Sequence, residues 1–190
     1  MLNKIFQKAM GFLQQPSKAF DGEKKTEVME AFVYMAVLSV IVAVLSGLMS
    51  LFSALPGVVI TLIVVSYITG IVASVIMGLW LHLWSYIFGA KKGLNQTLKT
   101  VFYSGTPNYL LGWIPVINIL FLLWTLYLNW VGLQRLQGMP GNRAAMTIVI
   151  AFVIPMIVVA ALVLVGLAMF AAYGGLSQGN MFPQGFELPQ

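Results

Sequence analysis

The sequence predicts an all-α, polytopic transmembrane helical bundle of five spans, with an N-terminal amphipathic helix that lies in the membrane interface. Three observations support this fold class. The chain is 60% hydrophobic and 8% charged, whereas a typical soluble domain is about 25% charged. Its apolar runs are long enough to cross a hydrocarbon core of about 30 Å. With five crossings, all 10 lysines and arginines fall on one side of the membrane.

Residues 1–28 are predicted to be a cytoplasmic segment that begins with the amphipathic helix. Its apolar residues recur at helical spacing and are Leu2, Ile5, Phe6, Ala9 and Leu13. Pro16 should end this helix, because proline lacks a backbone donor; the alternative is a mobile tail. Acids and lysines alternate over residues 21–30, which is typical of a solvated turn before a helix. Glu27 and Glu30 then lie where the helix dipole favours them, and a metal site built from these acids is disfavoured.

The membrane domain is predicted over residues 29–173, followed by a disordered extracytoplasmic tail over residues 174–190. Its five spans are predicted at Ala31–Leu55, Val58–Phe88, Leu94–Trp113, Val116–Leu136 and Ala144–Tyr173. Pro56 and Gly57 should form the first turn. Pro155 should kink the fifth span, because its ring clashes with the carbonyl of Ala151.

The third predicted span is the weakest, since it carries several polar side chains together with Lys99 and Pro107. Lys99 is near enough to an end for its ammonium to reach the membrane surface. If this segment did not cross, Arg135 and Arg143 would face the side opposite the lysines. The positive-inside rule therefore favours five spans, with the N-terminus cytoplasmic and the C-terminus outside. The cell membrane is the predicted location, with the ER or Golgi membrane as the alternative. Anionic lipid, without nucleic acid, accounts for the net charge of +5.

Small residues recur at intervals of four along the second span. They are Ser66, Gly70, Ser74 and Gly78. Such a ridge lets another helix approach closely. Packing inside the bundle is favoured over the alternative, which is a face between copies of the chain.

Pro107 removes one backbone donor from the third span and frees the carbonyl of Tyr103. Because unsatisfied backbone groups are not tolerated against lipid, this stretch must be buried in protein or line a wet cavity. The favoured explanation is a kink satisfied by Ser104, Thr106 and neighbouring helices. The alternative is a small channel or transporter along this span. Its candidate polar cavity comprises Thr106, Asn108, Asn118, Asn129 and His82. For His82, hydrogen bonding to headgroups or a neighbouring helix is favoured over a functional role.

Several absences argue against catalysis. With no cysteine and one histidine, the chain offers no thiolate nucleophile and no multi-histidine metal site. No Asp, Glu or Arg lies within a predicted span, whereas ion-coupled transporters usually need carboxylates there. The sequence has no P-loop and no catalytic constellation. It therefore predicts a protein that is not an enzyme and needs no cofactor.

The segment Gly89–Met139 resembles the core of the Yip family of membrane proteins. The residues that carry the resemblance are Tyr103, Ser104 and Pro107, followed by Gly132, Leu133, Leu136 and Gly138. The stretch Pro16–Phe20 is also similar to the N-terminal pattern of the family. The resemblance extends from about residue 10 to residue 172.

This resemblance implies five spans, a cytoplasmic N-terminus and no catalytic residues. It also implies a structural role for Tyr103, Ser104, Pro107 and Gly132. Eukaryotic members interact with Rab GTPases in ER-to-Golgi vesicle traffic and typically carry a longer cytoplasmic region before span one; the compact form is similar to prokaryotic members. We therefore expect a protein that organises membrane or recruits a cytoplasmic protein partner. It would act through its N-terminal helix and two basic loops, with a homo-oligomer as a further expectation.

Overall fold

The computed structural model describes residues 2–52 and 56–179, and the regular elements in these ranges are all helical. The helices are α1 (Leu2–Gln14), α2 (Pro16–Gly22), α3 (Val28–Met49), α4 (Pro56–Ile87), α5 (Leu94–Ser104), α6 (Thr106–Leu111), α7 (Asn118–Gly132) and α8 (Gly141–Gly179). A 3-10 turn, Ser50–Phe52, follows α3, and a π-helical turn, Leu133–Gln137, follows α7. The predicted all-α class is confirmed.

Four helices in the described ranges are long and apolar enough to cross a membrane. They are Val28–Met49, Gly57–Ile87, Asn118–Gln137 and Gly141–Ala172, and they correspond to predicted spans one, two, four and five. The third predicted span is divided into α5 and α6, which meet at Gly105. Pro107 lies in the first turn of α6, where its missing N–H is tolerated and its fixed φ favours a new helix. Neither α5 nor α6 is long enough to cross a membrane alone.

The described residues form two compact units, one up to Ala151 and the other from Phe152 onward. In the first unit, α3 packs against α4, α5 and α6, and α7 packs against α5 and α6. α5 and α7 are antiparallel, since Thr100 lies against Gly132 while Gly93 is bonded to Gln137. The fully or almost fully buried core includes Met35, Leu38, Phe102, Leu128 and Leu136. Inside a bilayer, such packing is held by van der Waals contact and interhelical hydrogen bonds.

Helix α1 covers part of this bundle. It packs against α2 and α6, and Ala9 and Phe12 are completely buried. Phe6, on the same predicted apolar stripe as Ala9, is 58% exposed. One side of α1 is therefore used for protein packing, and the position of the other side in a membrane interface stays a prediction.

Several boundaries differ from the predicted ones. Pro56 begins α4 and does not form a turn, in keeping with the preference for proline at the first helical position. Helix α8 continues through Pro155 and past Tyr173 to Gly179, so the first part of the predicted disordered tail is helical. Residues 180–190 of that tail lie outside the described residues.

Pro155 leaves the carbonyl of Ala151 without its usual helical donor, because proline has no N–H. The indole nitrogen Nε1 of Trp80 on α4 donates a hydrogen bond of 2.8 Å to this carbonyl. A tryptophan on one candidate span therefore satisfies the backbone of another.

The second unit contains the C-terminal part of α8. Its side chains from residue 156 to residue 172 are exposed, and all are apolar apart from one glycine. A helix with apolar side chains on every face is typical of a membrane span surrounded by lipid.

Candidate functional site: the docked N-terminal segment

Residues 2–26, here called the docked segment, fold back onto the helical bundle through four buried aromatic rings. The Phe12 ring of α1 stacks on the Tyr103 ring of α5 with centroids 4.7 Å apart. Phe20 of α2 lies edge-on to Phe12 at 4.9 Å, and Tyr34 of α3 lies edge-on to Tyr103 at 5.2 Å. Such aromatic pairs contribute about 0.5–1.5 kcal/mol each beyond the area they bury. The segment is thereby fixed to α3 and α5 by packing.

Glu23, in the turn after α2, is the charged centre of the docked segment. Its side chain is buried, with only 8% of the residue exposed. The Tyr103 hydroxyl donates a hydrogen bond of 2.6 Å to Oε2, and Lys8 Nζ lies 2.9 Å from Oε1. The same ammonium lies 5.4 Å from the centroid of the Tyr103 ring, within the range of a cation–π contact. Both carboxylate oxygens are thus paired, which buried acids require.

Lys99 of α5 holds the turn that contains Glu23. Its residue is 1% exposed, and Nζ donates to three backbone carbonyls: Glu23 at 2.9 Å, Lys24 at 3.3 Å and Thr26 at 2.8 Å. An ammonium has three donors, so these carbonyls use all of them. Lys99 is therefore enclosed by protein, and its ammonium is held by carbonyls of the turn just before α3. The level of this ammonium relative to the membrane surface stays a prediction.

The carbonyl of Tyr103, which Pro107 leaves free, is satisfied by a neighbouring hydroxyl. Thr106 Oγ1 donates a hydrogen bond of 2.6 Å to this carbonyl. Thr106 Oγ1 also lies 2.8 Å from the Tyr34 hydroxyl, and because a threonine hydroxyl has a single proton, Tyr34 must donate that second bond. The break between α5 and α6 is thus tied to α3. Ser104 is also buried, and its hydroxyl has no hydrogen-bond partner in the described part of the chain.

The Gln137 side chain connects the π-helical turn to the loop after α4 and to α5. Its Nε2 donates to the Gly93 carbonyl at 2.7 Å and to Thr97 Oγ1 at 2.8 Å. Its Oε1 accepts from the backbone N–H of Lys92 at 3.0 Å. His82 Nδ1 lies 3.0 Å from Thr97 Oγ1, so the histidine of α4 belongs to the same polar network.

The residues of the predicted polar cavity lie in different environments. Thr106 and Asn129 are buried, Asn108 and Asn118 are exposed, and His82 is half-buried. Asn129 donates to the Thr125 carbonyl at 2.9 Å within its own helix. Thr106, Asn129 and His82 thus bond to separate partners, and a channel along residues 94–113 stays a prediction.

The predicted small-residue ridge contacts α5 at one end only. A Cβ on Gly78 would lie 2.6 Å from Leu98 Cδ2, whereas a Cβ on Gly70 would meet no described atom within 4 Å. Ser66 is exposed, and the half-buried Ser74 hydroxyl bonds to the Gly70 carbonyl at 2.8 Å. Along this ridge, α5 therefore approaches closely at Gly78, and the Ser74 hydroxyl lies 3.5 Å from the Tyr109 hydroxyl of α6.

At two motif positions, Gly132 and Gly138, the structure shows why a side chain would not fit. A Cβ on Gly132 would lie 2.5 Å from Thr100 Cγ2 and 3.1 Å from the ring of Phe20, so this position lets α2, α5 and α7 meet. Gly138 ends the π-helical turn with φ of 71°, a left-handed conformation that side chains disfavour. Tyr103 and Gly132 thus both belong to the surface that receives the docked segment.

The basic loops meet at the end of the bundle where the docked segment lies. Asp21 pairs with Lys24 at 2.6 Å and with Arg135 at 3.6 Å, and the hydrogen bond from Lys24 lowers the pKa of Asp21 below its usual value. The Arg143 guanidinium lies against Gly89. We call the exposed cations of this end the basic face. They are Lys24, Lys25, Lys91, Lys92, Arg135 and Arg143.

The sequence did not reveal Glu23 as a key residue. Its acid is one of several in a stretch with alternating charges, which is typical of solvent-exposed turns. One available signal is that Lys99 and Tyr103 are four residues apart, as are Lys8 and Phe12, so each pair lies on one helix face. Within the described residues, no group of three or more His, Cys, Asp or Glu is placed to hold a metal ion.

Comparison with known families gives one match. The family model described as the Yip1 domain matches residues 10–164. The matched range includes most of the docked segment and all of α2 to α7. Neither the curated proteins nor the solved structures yielded a match.

Proposed function

The chain belongs to the Yip1-domain family, and from this premise we propose that it is a non-enzymatic, multi-pass membrane protein that recruits a protein partner or organises membrane through its basic face. The observation that carries the proposal is the convergence of the docked segment and both basic loops at one end of the bundle. Recruitment of a partner to the membrane would be a trafficking-like role, as the family resemblance implies.

Connectivity supports five crossings of the membrane. The end of α4 and the end of α7 lie together, because Lys92 and Gly93 bond to Gln137. If α4 and α7 each cross the bilayer, the intervening residues 94–117 must carry the chain back across it. We propose that α5 and α6 together make this crossing, shielded from lipid by α3, α4 and α7.

The positive-inside rule supports a cytoplasmic position for the basic face. On this proposal the docked segment, the loop after α4 and the loop after α7 all face the cytoplasm. The cell membrane is the proposed location. Six exposed cations at one end favour a partner with an acidic surface, because opposite charges steer association.

Deletion of the N-terminal helices is not a suitable test of partner recruitment. Phe12 and Phe20 cover Tyr103, so truncation would expose the core and confuse unfolding with loss of a partner. Charge reversal at Lys25 and Lys91 avoids this difficulty, since both are exposed. The matched control is the double variant Lys25→Arg and Lys91→Arg, which keeps the charge.

The experiment is photo-crosslinking in native membranes from a probe at Asn142, which is exposed at the start of α8 next to Arg143 of the basic face. We expect a defined protein adduct in the native chain and in the arginine variant, with at least about tenfold less in the Lys25→Glu, Lys91→Glu variant. Equal adducts in all three proteins, or adducts with lipid alone, would overturn recruitment through the basic face.

A further inference from the structure

A groove of about 420 Å³ lies between α1 and the first two turns of α3. Its apolar wall includes Ile5, Met29 and Val33, and its charged lining includes Lys4 and Glu30. This volume is within the range of small-molecule sites, about 300–1,000 Å³. The groove is therefore large enough to hold part of an amphiphile.

The position of the groove indicates what kind of molecule reaches it. Helix α3 is a candidate membrane span that begins at Val28, so Met29 and Glu30 lie at the end of that span. Met29 on α3 is 60% exposed, and Phe6 on α1 is 58% exposed. An apolar groove at the boundary of a span lies at the level where lipid headgroups meet acyl chains.

The charges of the groove select among lipids. Lys8 also lines it, but its ammonium is paired with Glu23 at 2.9 Å. Lys4 and Glu30 are exposed, and neither forms an ion pair with another described residue. The groove thus offers one unpaired cation and one unpaired anion. A purely anionic headgroup would be repelled by Glu30, whereas a headgroup with both charges complements the two side chains.

We propose that this groove binds one phospholipid of the phosphatidylethanolamine type. The lipid phosphate accepts from the ammonium of Lys4, and the primary amine of the headgroup donates to the carboxylate of Glu30. An acyl chain lies along Ile5, Met29 and Val33. The site requires no protein partner. The lipid-binding proposal can therefore be tested independently of recruitment through the basic face.

The test is native mass spectrometry of the delipidated full chain in detergent. Phosphatidylethanolamine, phosphatidylcholine and phosphatidylglycerol with identical acyl chains are added in turn. We expect phosphatidylethanolamine to bind about tenfold more tightly than phosphatidylglycerol. Phosphatidylcholine should be intermediate, because its quaternary amine cannot donate a hydrogen bond.

Three variants locate the site. Glu30→Gln should remove the preference for phosphatidylethanolamine, with Glu27→Gln as the matched control outside the groove. Lys4→Gln should weaken binding of all three lipids, with Lys25→Gln as its control. Val33→Trp should block the groove by filling it. Unfolding midpoints without lipid show whether each variant keeps its fold.

Three results would overturn the proposal. The first is equal binding of the three headgroups to the native chain. The second is a Glu30→Gln variant that keeps its lipid preference while retaining its fold. The third is a Lys4→Gln variant that binds all three lipids as tightly as the native chain although Val33→Trp loses them, because the groove would then bind acyl chains alone.

Discussion

The Tyr103 hydroxyl donates a 2.6 Å hydrogen bond to the carboxylate of Glu23, across 80 positions of the chain. This bond joins a motif residue of α5 to the turn after α2. Lys8 pairs with the other carboxylate oxygen, and Phe12 stacks on the same tyrosine ring. The docked segment is consequently an integral part of the bundle. Single substitutions at these contacts should therefore change the free energy of unfolding.

Replacing Tyr103 with phenylalanine removes the hydrogen bond but keeps the stacked ring. We expect the free energy of unfolding to fall by about 1.5–3 kcal/mol, the usual contribution of a hydrogen bond to a charged group. The measurement is thermal and denaturant unfolding in detergent. Tyr86→Phe is the matched control, since Tyr86 is 70% exposed and should lose little. Equal losses in the two variants would show that the bond to Glu23 does not stabilise the fold.

Replacing Lys99 with methionine keeps most of the apolar stem but removes three donors to backbone carbonyls. We expect a loss of about 2–3 kcal/mol, together with faster amide hydrogen exchange over residues 20–26. Lys25→Met is the control, because Lys25 is exposed. Unchanged exchange in that turn would mean that Lys99 does not fix the docked segment.

Substituting leucine for the ridge glycines separates two kinds of contact. Gly78→Leu should destabilise the fold by about 1–3 kcal/mol, because the new side chain collides with Leu98. Gly70→Leu should leave the thermal stability of the monomer unchanged, since a Cβ there meets no described atom within 4 Å. Both variants are compared by melting in detergent and by size-exclusion chromatography with light scattering. A Gly70→Leu variant that loses an oligomer would favour a face between copies at this end of the ridge.

Trp80 and Pro155 form a pair for a double-mutant cycle. Trp80→Phe should cost about 1–3 kcal/mol, because the carbonyl of Ala151 loses the donor that replaces the missing proline N–H. In a Pro155→Ala background, the helix supplies its own donor, so the same change should cost less. Trp84→Phe is the control, since the Trp84 indole has no hydrogen-bond partner among the described residues. A cycle with no coupling would contradict this account of the proline.

The sequence allowed four spans to be located because length and apolar composition are local properties. In the third span, the Thr106 hydroxyl satisfies the carbonyl that Pro107 frees, as the sequence predicted. The bond from Tyr34 of α3 to the same hydroxyl depends on the folded chain. Gly78 and Gly70 belong to the same repeat in sequence, yet only the position of Leu98 on α5 distinguishes them. The roles of Glu23 and Lys99 were likewise hidden, because Tyr103 and Lys99 lie more than seventy positions from the turn that contains Glu23.

The central claim is that the basic face lies in the cytoplasm and that residues 94–117 cross the membrane. Because the chain has no cysteine, single cysteines at Lys25, Lys91, Asn142 and Val116 can be labelled with a membrane-impermeant maleimide in intact cells. All four positions are exposed. We expect positions 25, 91 and 142 to react only after permeabilisation, and position 116 to react in intact cells. Labelling of position 116 only after permeabilisation, or of position 142 on the side opposite position 25, would contradict the claim.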